Sequence, residues 1–156
     1  DAPIDRAVVD GATTFDATPV APSRPLDALA DRLERAARIE WYATVALTGL
    51  AGAFRRRLDA GLTAHLYVDE NVVDALIADS PAVIEDVRGL PNAAISETAV
   101  ELPYDLALFE YADGFEVAVL TGEKGVDHLV CNDCDAAIAW AREHLTEIRA
   151  DAADLV

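Results

Sequence analysis

Residues 39–47 read Ile-Glu-Trp-Tyr-Ala-Thr-Val-Ala-Leu, and this stretch decides the fold. Its β-branched and aromatic residues, with only one charge among them, predict a buried strand. Residues 62–68 (Leu-Thr-Ala-His-Leu-Tyr-Val) alternate and predict a second strand. Helical patterns lie before, between and after these two segments. Such alternation is typical of parallel strands joined by crossover helices.

The helical patterns around these strands have recognisable ends. Leu26, Leu29 and Leu33 recur at helical spacing before the first strand. Residues 50–60 form the next predicted helix, and Gly61 stands where a left-handed residue ends it. A third helix follows the cap at Asp69, and a shorter one follows residues 80–81.

The second half of the chain changes from helical to alternating periodicity. Residues 105–111 and 115–121 predict a hairpin with Gly114 in its turn. A modest strand at 94–98 precedes it, a last strand at 126–131 follows it, and Asp133 is expected to cap a closing helix. The predicted fold is therefore a single α/β domain, with a mixed parallel and antiparallel sheet covered by helices.

The ends of the chain carry weaker patterns than its middle. Residues 1–22 are expected to be an extended lead-in with a short strand within residues 10–16, residues 23–150 the α/β domain, and residues 151–156 a frayed C-terminus. The chain begins with aspartate instead of methionine, and its first residues lack the apolar core of a signal peptide. We therefore expect a fragment of a longer cytoplasmic protein.

Charge is the strongest global signal. The chain has 29 acidic and 12 basic residues, a net charge of −17, and one lysine, Lys124. So many carboxylates repel one another in dilute buffer, whereas molar salt screens them. This composition predicts adaptation to a salty cytoplasm; an acidic interaction domain of an ordinary cell is the alternative. It argues against direct binding of nucleic acid, which needs basic side chains, and no segment is apolar enough to cross a membrane.

Ligands of open α/β sheets bind beyond the carboxyl ends of the parallel strands. This rule places Thr44, Thr48, Tyr67 and Asp69 near the predicted crevice, and Tyr104 is a further candidate ligand-binding residue. The alternative for the aromatic side chains is a role in the core or in a dimer surface.

Both cysteines lie in the segment His128-Leu-Val-Cys131-Asn-Asp-Cys134. Inert packing is the role we favour for them, since buried cysteine is usually unreactive. Cys134 at a helix N-terminus, resolved by Cys131, would instead form a redox pair. A zinc site would need a further ligand, and a single Cys-x-x-Cys is a weak metal signal. We predict no metal site and no cofactor.

Recognisable catalytic motifs are missing from the sequence. It contains no Gly-x-Ser-x-Gly elbow, no phosphate-binding glycine loop, no dinucleotide fingerprint and no His-Glu-x-x-His. We therefore expect a binding domain and not a self-contained enzyme.

Several phrases make residues 19–149 resemble the effector domain that follows the winged helix in archaeal transcription regulators, including methanogenesis and filament-switch regulators. The resemblance implies a module that senses a signal, pairs subunits and passes the result to an attached DNA reader. The winged helix itself is absent from this sequence. The phrases that carry the resemblance are residues 23–27 (SRPLD), 58–65 (LDAGLTAH), 72–76 (VVDAL), 102–108 (LPYDLAL) and 137–141 (AIAWA).

These observations favour the homodimeric effector domain of a haloarchaeal transcription regulator. Its input would be an unknown small molecule or thiol oxidation, and it would reach DNA only through an attached winged helix. One alternative is a small hydrolase or transferase that uses acidic residues near Asp69. Another is a passive dimerisation scaffold without a ligand.

Overall fold

A computed structural model describes residues 4–44, 50–79, 81–122 and 126–155. Its elements follow the predicted order, with changes at the two ends. The helices are α1 (Arg6–Val9), α2 (Arg24–Arg35), α3 (Ala51–Asp59), α4 (Glu70–Asp79), α5 (Pro81–Arg88) and α6 (Asp135–Asp151). The strands are β1 (Thr13–Asp16), β2 (Arg38–Ala43), β3 (Thr63–Val68), β4 (Ala93–Glu97), β5 (Asp105–Tyr111), β6 (Gly114–Thr121), β7 (His128–Asn132) and β8 (Ala153–Asp154).

All eight described strands form one sheet, in the order β1-β7-β6-β5-β2-β3-β4-β8. Strands β2, β3 and β4 are parallel, and the other neighbours are antiparallel. The deciding strand β2 lies between parallel β3 and antiparallel β5, so it joins the two halves of the sheet. The prediction of an α/β fold with a mixed sheet is confirmed.

Helices cover both faces of this sheet, because successive side chains of a strand point to opposite sides. Trp41 lies on one face, in a cluster with Leu29 of α2 and Leu58 of α3. Its neighbour Tyr42 lies on the other face, in a cluster with Leu145 of α6. None of the described helices combines the length and the apolar character that a bilayer crossing requires.

The segment expected to be an extended lead-in contains a helix besides its predicted short strand. Its first helix, α1, is held by Asn132, whose Nδ2 donates to the carbonyl oxygens of Val8 (3.0 Å) and Asp10 (2.8 Å). Strand β1 pairs with β7 at the edge of the sheet. A helix of four residues is too short to show a hydrophobic period in the sequence. The hydrogen bonds that stabilise it come from Asn132, which is more than a hundred residues away along the chain.

The C-terminal residues also differ from the expectation that they fray. Helix α6 continues to Asp151, whose carboxylate accepts hydrogen bonds from Thr98 Oγ1 and Ala99 N, both at 2.8 Å. These bonds lower the pKa of Asp151, the backbone donor having the larger effect. Residues 153–154 then pair with β4 as strand β8. Two residues are too few for a strand pattern to be visible in the sequence.

Candidate ligand-binding site

Two of the residues predicted to line a crevice at the carboxyl ends of the strands, Thr44 and Asp69, lie close to the carboxylate of Asp105. Asp69 Oδ1 accepts from Val72 N at 2.8 Å, so this carboxylate caps α4. The amide and hydroxyl of Thr44 both donate to the carboxylate of Asp105. Thr48 lies outside the described residues. These contacts give Thr44 and Asp69 roles in local structure, and the crevice stays a prediction.

The two tyrosines of the predicted set lie on the face that α6 covers. Tyr67 is buried, and its hydroxyl accepts from Arg149 Nε at 3.3 Å. The hydroxyl of Tyr104 is buried without a hydrogen-bond partner among the described residues, and its ring lies 6.1 Å from that of Trp140. Burial raises the pKa of both tyrosines.

Asp105 was not predicted as a site residue, although it is the buried carboxylate of this region. Its side chain is 2% exposed and accepts from Trp41 Nε1 at 3.3 Å and from Thr44 N at 2.9 Å. Burial raises the pKa of Asp105, the donors of Thr44 and Trp41 oppose the rise, and the charge of Asp69 adds to it. In the sequence, Asp105 is a charged residue at the start of an otherwise hydrophobic strand. This pattern was the signal that could have identified it as a buried carboxylate.

The two cysteines are free thiols that pack on opposite faces of the sheet. Burial raises the pKa of Cys131 to about 12, so its thiolate is scarce at neutral pH. Cys134, and not Asp133, is the N-cap of α6, because its Sγ accepts from Ala137 N at 3.4 Å. Within the described ranges, no three His, Cys, Asp or Glu side chains are grouped as metal ligands would be.

A pocket of about 240 Å³ opens on the α6 face, where the N-terminal end of β2 meets the second half of α6. Its polar lining comes mainly from arginine and glutamate, and its apolar lining from leucine and phenylalanine. The lining residues are Arg38, Glu40, Leu108, Glu110, Phe115, Arg142, Leu145, Thr146 and Arg149.

Arg149 is the most firmly held cation of this pocket. Its Nη2 donates to Glu40 Oε2 and its Nε to the Tyr67 hydroxyl. These two hydrogen bonds raise the pKa of Arg149, with Tyr67 contributing first. The ring of Tyr67 in turn stacks on His65, with centroids 4.3 Å apart. The guanidinium of Arg149 is therefore held from two sides, and its position in the pocket wall is well defined.

The other two arginines of the pocket are less constrained. Arg38 Nη2 lies 3.7 Å from Glu40 Oε1. The guanidinium carbon of Arg142 lies 4.4 Å from the ring centroid of Phe115, a cation–π contact. Within the part of the chain that the structure describes, no carboxylate lies within 4.0 Å of Arg142. Its positive charge therefore faces the pocket and the solvent.

A second polar group lies beside the pocket. His65 Nε2 lies 2.8 Å from Ser96 Oγ, and Ser96 Oγ donates to Asp154 Oδ1 at 3.1 Å. In a serine hydrolase the histidine stands between serine and acid, whereas here the buried serine is in the middle. Burial lowers the pKa of His65. The hydrogen bond from Ser96 to Asp154 connects β4 to β8, so we infer that this group stabilises β8 at the edge of the sheet.

The comparison with protein families gives one match. Residues 22–151 match the model of the FilR1 middle domain, a domain of the methanogenesis regulatory protein FilR1. No curated protein is similar enough in sequence to be matched.

Several solved structures share the fold. The archaeal chromatin protein TrmBL2, described with a novel mode of DNA binding, matches with a TM-score of 0.69 at 12% identity; the match covers 92% of this chain and 55% of TrmBL2. NucT from Helicobacter pylori matches with a TM-score of 0.72 at 12% identity, covering 92% and 98% of the two chains. Nuc from Salmonella typhimurium, a phospholipase D family member, matches with a TM-score of 0.56 at 13% identity, covering 92% and 97%.

These matches overturn the prediction that the chain is not an enzyme. The fold is enzyme-like, because a phospholipase D family member and, over 88% of this chain, the polyphosphate kinase of Porphyromonas gingivalis share it. The prediction was wrong because it inferred the class of protein from missing motifs. At these identities the likeness shows the fold alone.

Proposed function

This chain belongs to the family of the FilR1 middle domain, a regulatory domain, and from that premise we propose that it is the signal-binding part of a transcription regulator. In this proposal a small molecule binds in the pocket on the α6 face, and the chain acts as a homodimer. The chain spans about half the length of TrmBL2, so DNA contact is assigned to another part of the whole protein.

The observation that carries the proposal is the arginine-lined pocket. Three of the 12 basic residues of a chain with net charge −17 lie around one cavity, together with apolar side chains. Ligand sites combine an apolar lining with a few placed polar groups in this way. A surface charge of this sign also suits a sensor domain better than a DNA reader, because phosphate contacts need many cations.

The proposed mechanism is a shift between two packings of the dimer. A ligand changes such an equilibrium only by its difference in affinity for the two states. Helix α6 supplies Arg142, Leu145 and Arg149 to the pocket, so a bound molecule would contact the sheet and the helix together. A displacement of α6 would then alter the spacing of the attached DNA readers.

The test uses a variant that fills the pocket and a matched control. Thr146→Tyr places a ring in the cavity, and Ala150→Tyr places the same ring on the exposed side of α6, outside the lining. In molar KCl, small metabolites that raise the melting temperature of wild type and Ala150→Tyr should not raise that of Thr146→Tyr. An equal response of the two variants would refute the assignment of the pocket.

Dimerisation is tested separately by sedimentation equilibrium in molar KCl. The proposal expects a dimer at micromolar concentration. A monomer at the highest concentration reached would remove the dimer mechanism and would leave ligand binding to be judged on its own.

A further inference from the structure

We propose that the ligand of this pocket is a compact organic anion, whose carboxylate or phosphate group is bound by Arg142 and Arg38. This inference rests on the proposed function, because it names the chemical class that the same pocket would accept. Its apolar part would lie against the side chains of Leu108 and Leu145.

The charge of the pocket lining favours an anionic ligand. Three arginines face two glutamates there, so the pocket has a net charge of +1 in a chain of net charge −17. Glu40 does not offset the surplus, since it is already paired with Arg149 and lies near Arg38. Glu110 is the direct cross-strand neighbour of Arg38, but among the described residues no ion pair within 4.0 Å joins them, so Arg38 keeps N–H donors for a ligand. Arg142 is left as the surplus cation.

Arg142 is one of four described arginines without a carboxylate within 4.0 Å, and it is the one of these four that lines the pocket. Arg32 and Arg56 each have a carboxylate partner, Glu116 and Glu34. Among the described residues the contact recorded for the Arg142 guanidinium is the face of Phe115, which orients it and leaves its N–H donors available. A planar guanidinium binds carboxylate and phosphate through paired hydrogen bonds. A chain with 29 acidic residues and an arginine without a described carboxylate partner is suited to bind an anion from solution.

The size and the apolar surface of the pocket limit its ligand to a small molecule. The cavity of about 240 Å³ is smaller than the roughly 300–1,000 Å³ of sites for drug-sized ligands. Leu145 is buried beneath it, and Leu108 and Phe115 complete an apolar surface. A single aromatic or branched aliphatic group with one oxyanion matches this volume and this surface. A nucleotide or a polymer does not.

The experiment compares four probes of one shape by isothermal titration calorimetry, at the lowest KCl concentration that keeps the chain folded. They are benzoate, phenyl phosphate, benzyl alcohol and benzylamine. The two anions should bind and the neutral and cationic probes should not; comparing the two anions distinguishes carboxylate from phosphate. Arg142→Gln should weaken anion binding about tenfold or more, and Arg142→Lys should restore part of it.

Arg35→Gln is the matched control. Arg35 is exposed and stacks on Tyr111 at 4.7 Å, away from the pocket, so the change removes the same charge and the same kind of contact. It should leave anion binding unchanged. Equal binding of benzyl alcohol, or an Arg142→Gln variant that binds like wild type, would overturn the anion class but leave the pocket as a ligand site. Failure of all four probes would also overturn the inference, while the tyrosine variants still decide the proposed function.

Discussion

Replacing Asp105 by alanine should destabilise the domain strongly. The carboxylate is buried and is the acceptor for Trp41 Nε1 and for both donors of Thr44. Its removal leaves at least two donors without a partner at the edge where β2 ends, and each such buried donor costs about 1–3 kcal/mol. We expect a loss of roughly 2–5 kcal/mol in the free energy of unfolding, which is a large part of the stability of a typical domain.

Urea unfolding in molar KCl, followed by tryptophan fluorescence, measures this loss. With a denaturant slope of about 2 kcal/mol per molar urea, the midpoint should fall by about 1–2.5 M. Asp113→Asn is the control, because it removes one charge from the exposed β5–β6 turn. It should change the stability by no more than about 0.5 kcal/mol. Equal midpoints for Asp105→Ala and Asp113→Asn would refute the structural role of Asp105.

The same carboxylate predicts a pH dependence with a definite sign. Its pKa is raised in the folded state, so the folded chain binds the proton more tightly than the unfolded chain. Its contribution to stability is therefore lost as pH rises from the ordinary aspartate value through the raised one. Asp105→Asn lacks this titrating group. The free energy of unfolding of wild type should therefore exceed that of Asp105→Asn by the largest amount at low pH. A difference that grows with pH would contradict the assignment.

Three further predictions concern the rest of the chain. Asn92→Ala should cost about 1–2 kcal/mol, because its Nδ2 donates to the carbonyls of Leu58 and Leu62; an unchanged urea midpoint would contradict this. A thiol reagent at pH 8 should label Cys134 first and Cys131 only after urea is added, because a pKa of about 12 leaves about one thiolate in ten thousand; equal labelling rates would contradict it. The free energy of unfolding should rise between about 0.1 and 2 M KCl as salt screens the carboxylates, and a flat titration would refute salt adaptation.

Strong local signals predicted most elements correctly. The hairpin of β5 and β6 was found because residues 105–121 alternate around a break; its turn is Ala112-Asp113, and Gly114, expected in the turn, is the first residue of β6 and has a positive φ of 158°. Helices α2 and α6 were found from their apolar spacing. Elements α1 and β8 were missed because they are short and depend on tertiary partners, Asn132 and β4.

The candidate site was harder to predict than the fold. Arg38 is separated from Arg142 and Arg149 by about a hundred residues of sequence, and the packing of α6 on the sheet brings them together. One signal was present, since Glu40 is a charge within an otherwise buried strand pattern. Such a charge needs a partner, and Arg149 supplies it. The rule about carboxyl ends of strands led to a different set of residues, of which Thr44 and Asp69 make local hydrogen bonds; a ligand-binding role for that set stays a prediction.

The most direct test of the signal-binding role is to map where an anionic probe binds. Phenyl phosphate should be added to the isotopically labelled chain in KCl while the amide and methyl resonances are followed by NMR. Shifts confined to Leu108, Leu145 and Thr146 are predicted, because these residues line the pocket. Shifts at Thr44 and Asp69 instead would contradict the assignment of the pocket, and no shifts at all would contradict the anionic class of its ligand.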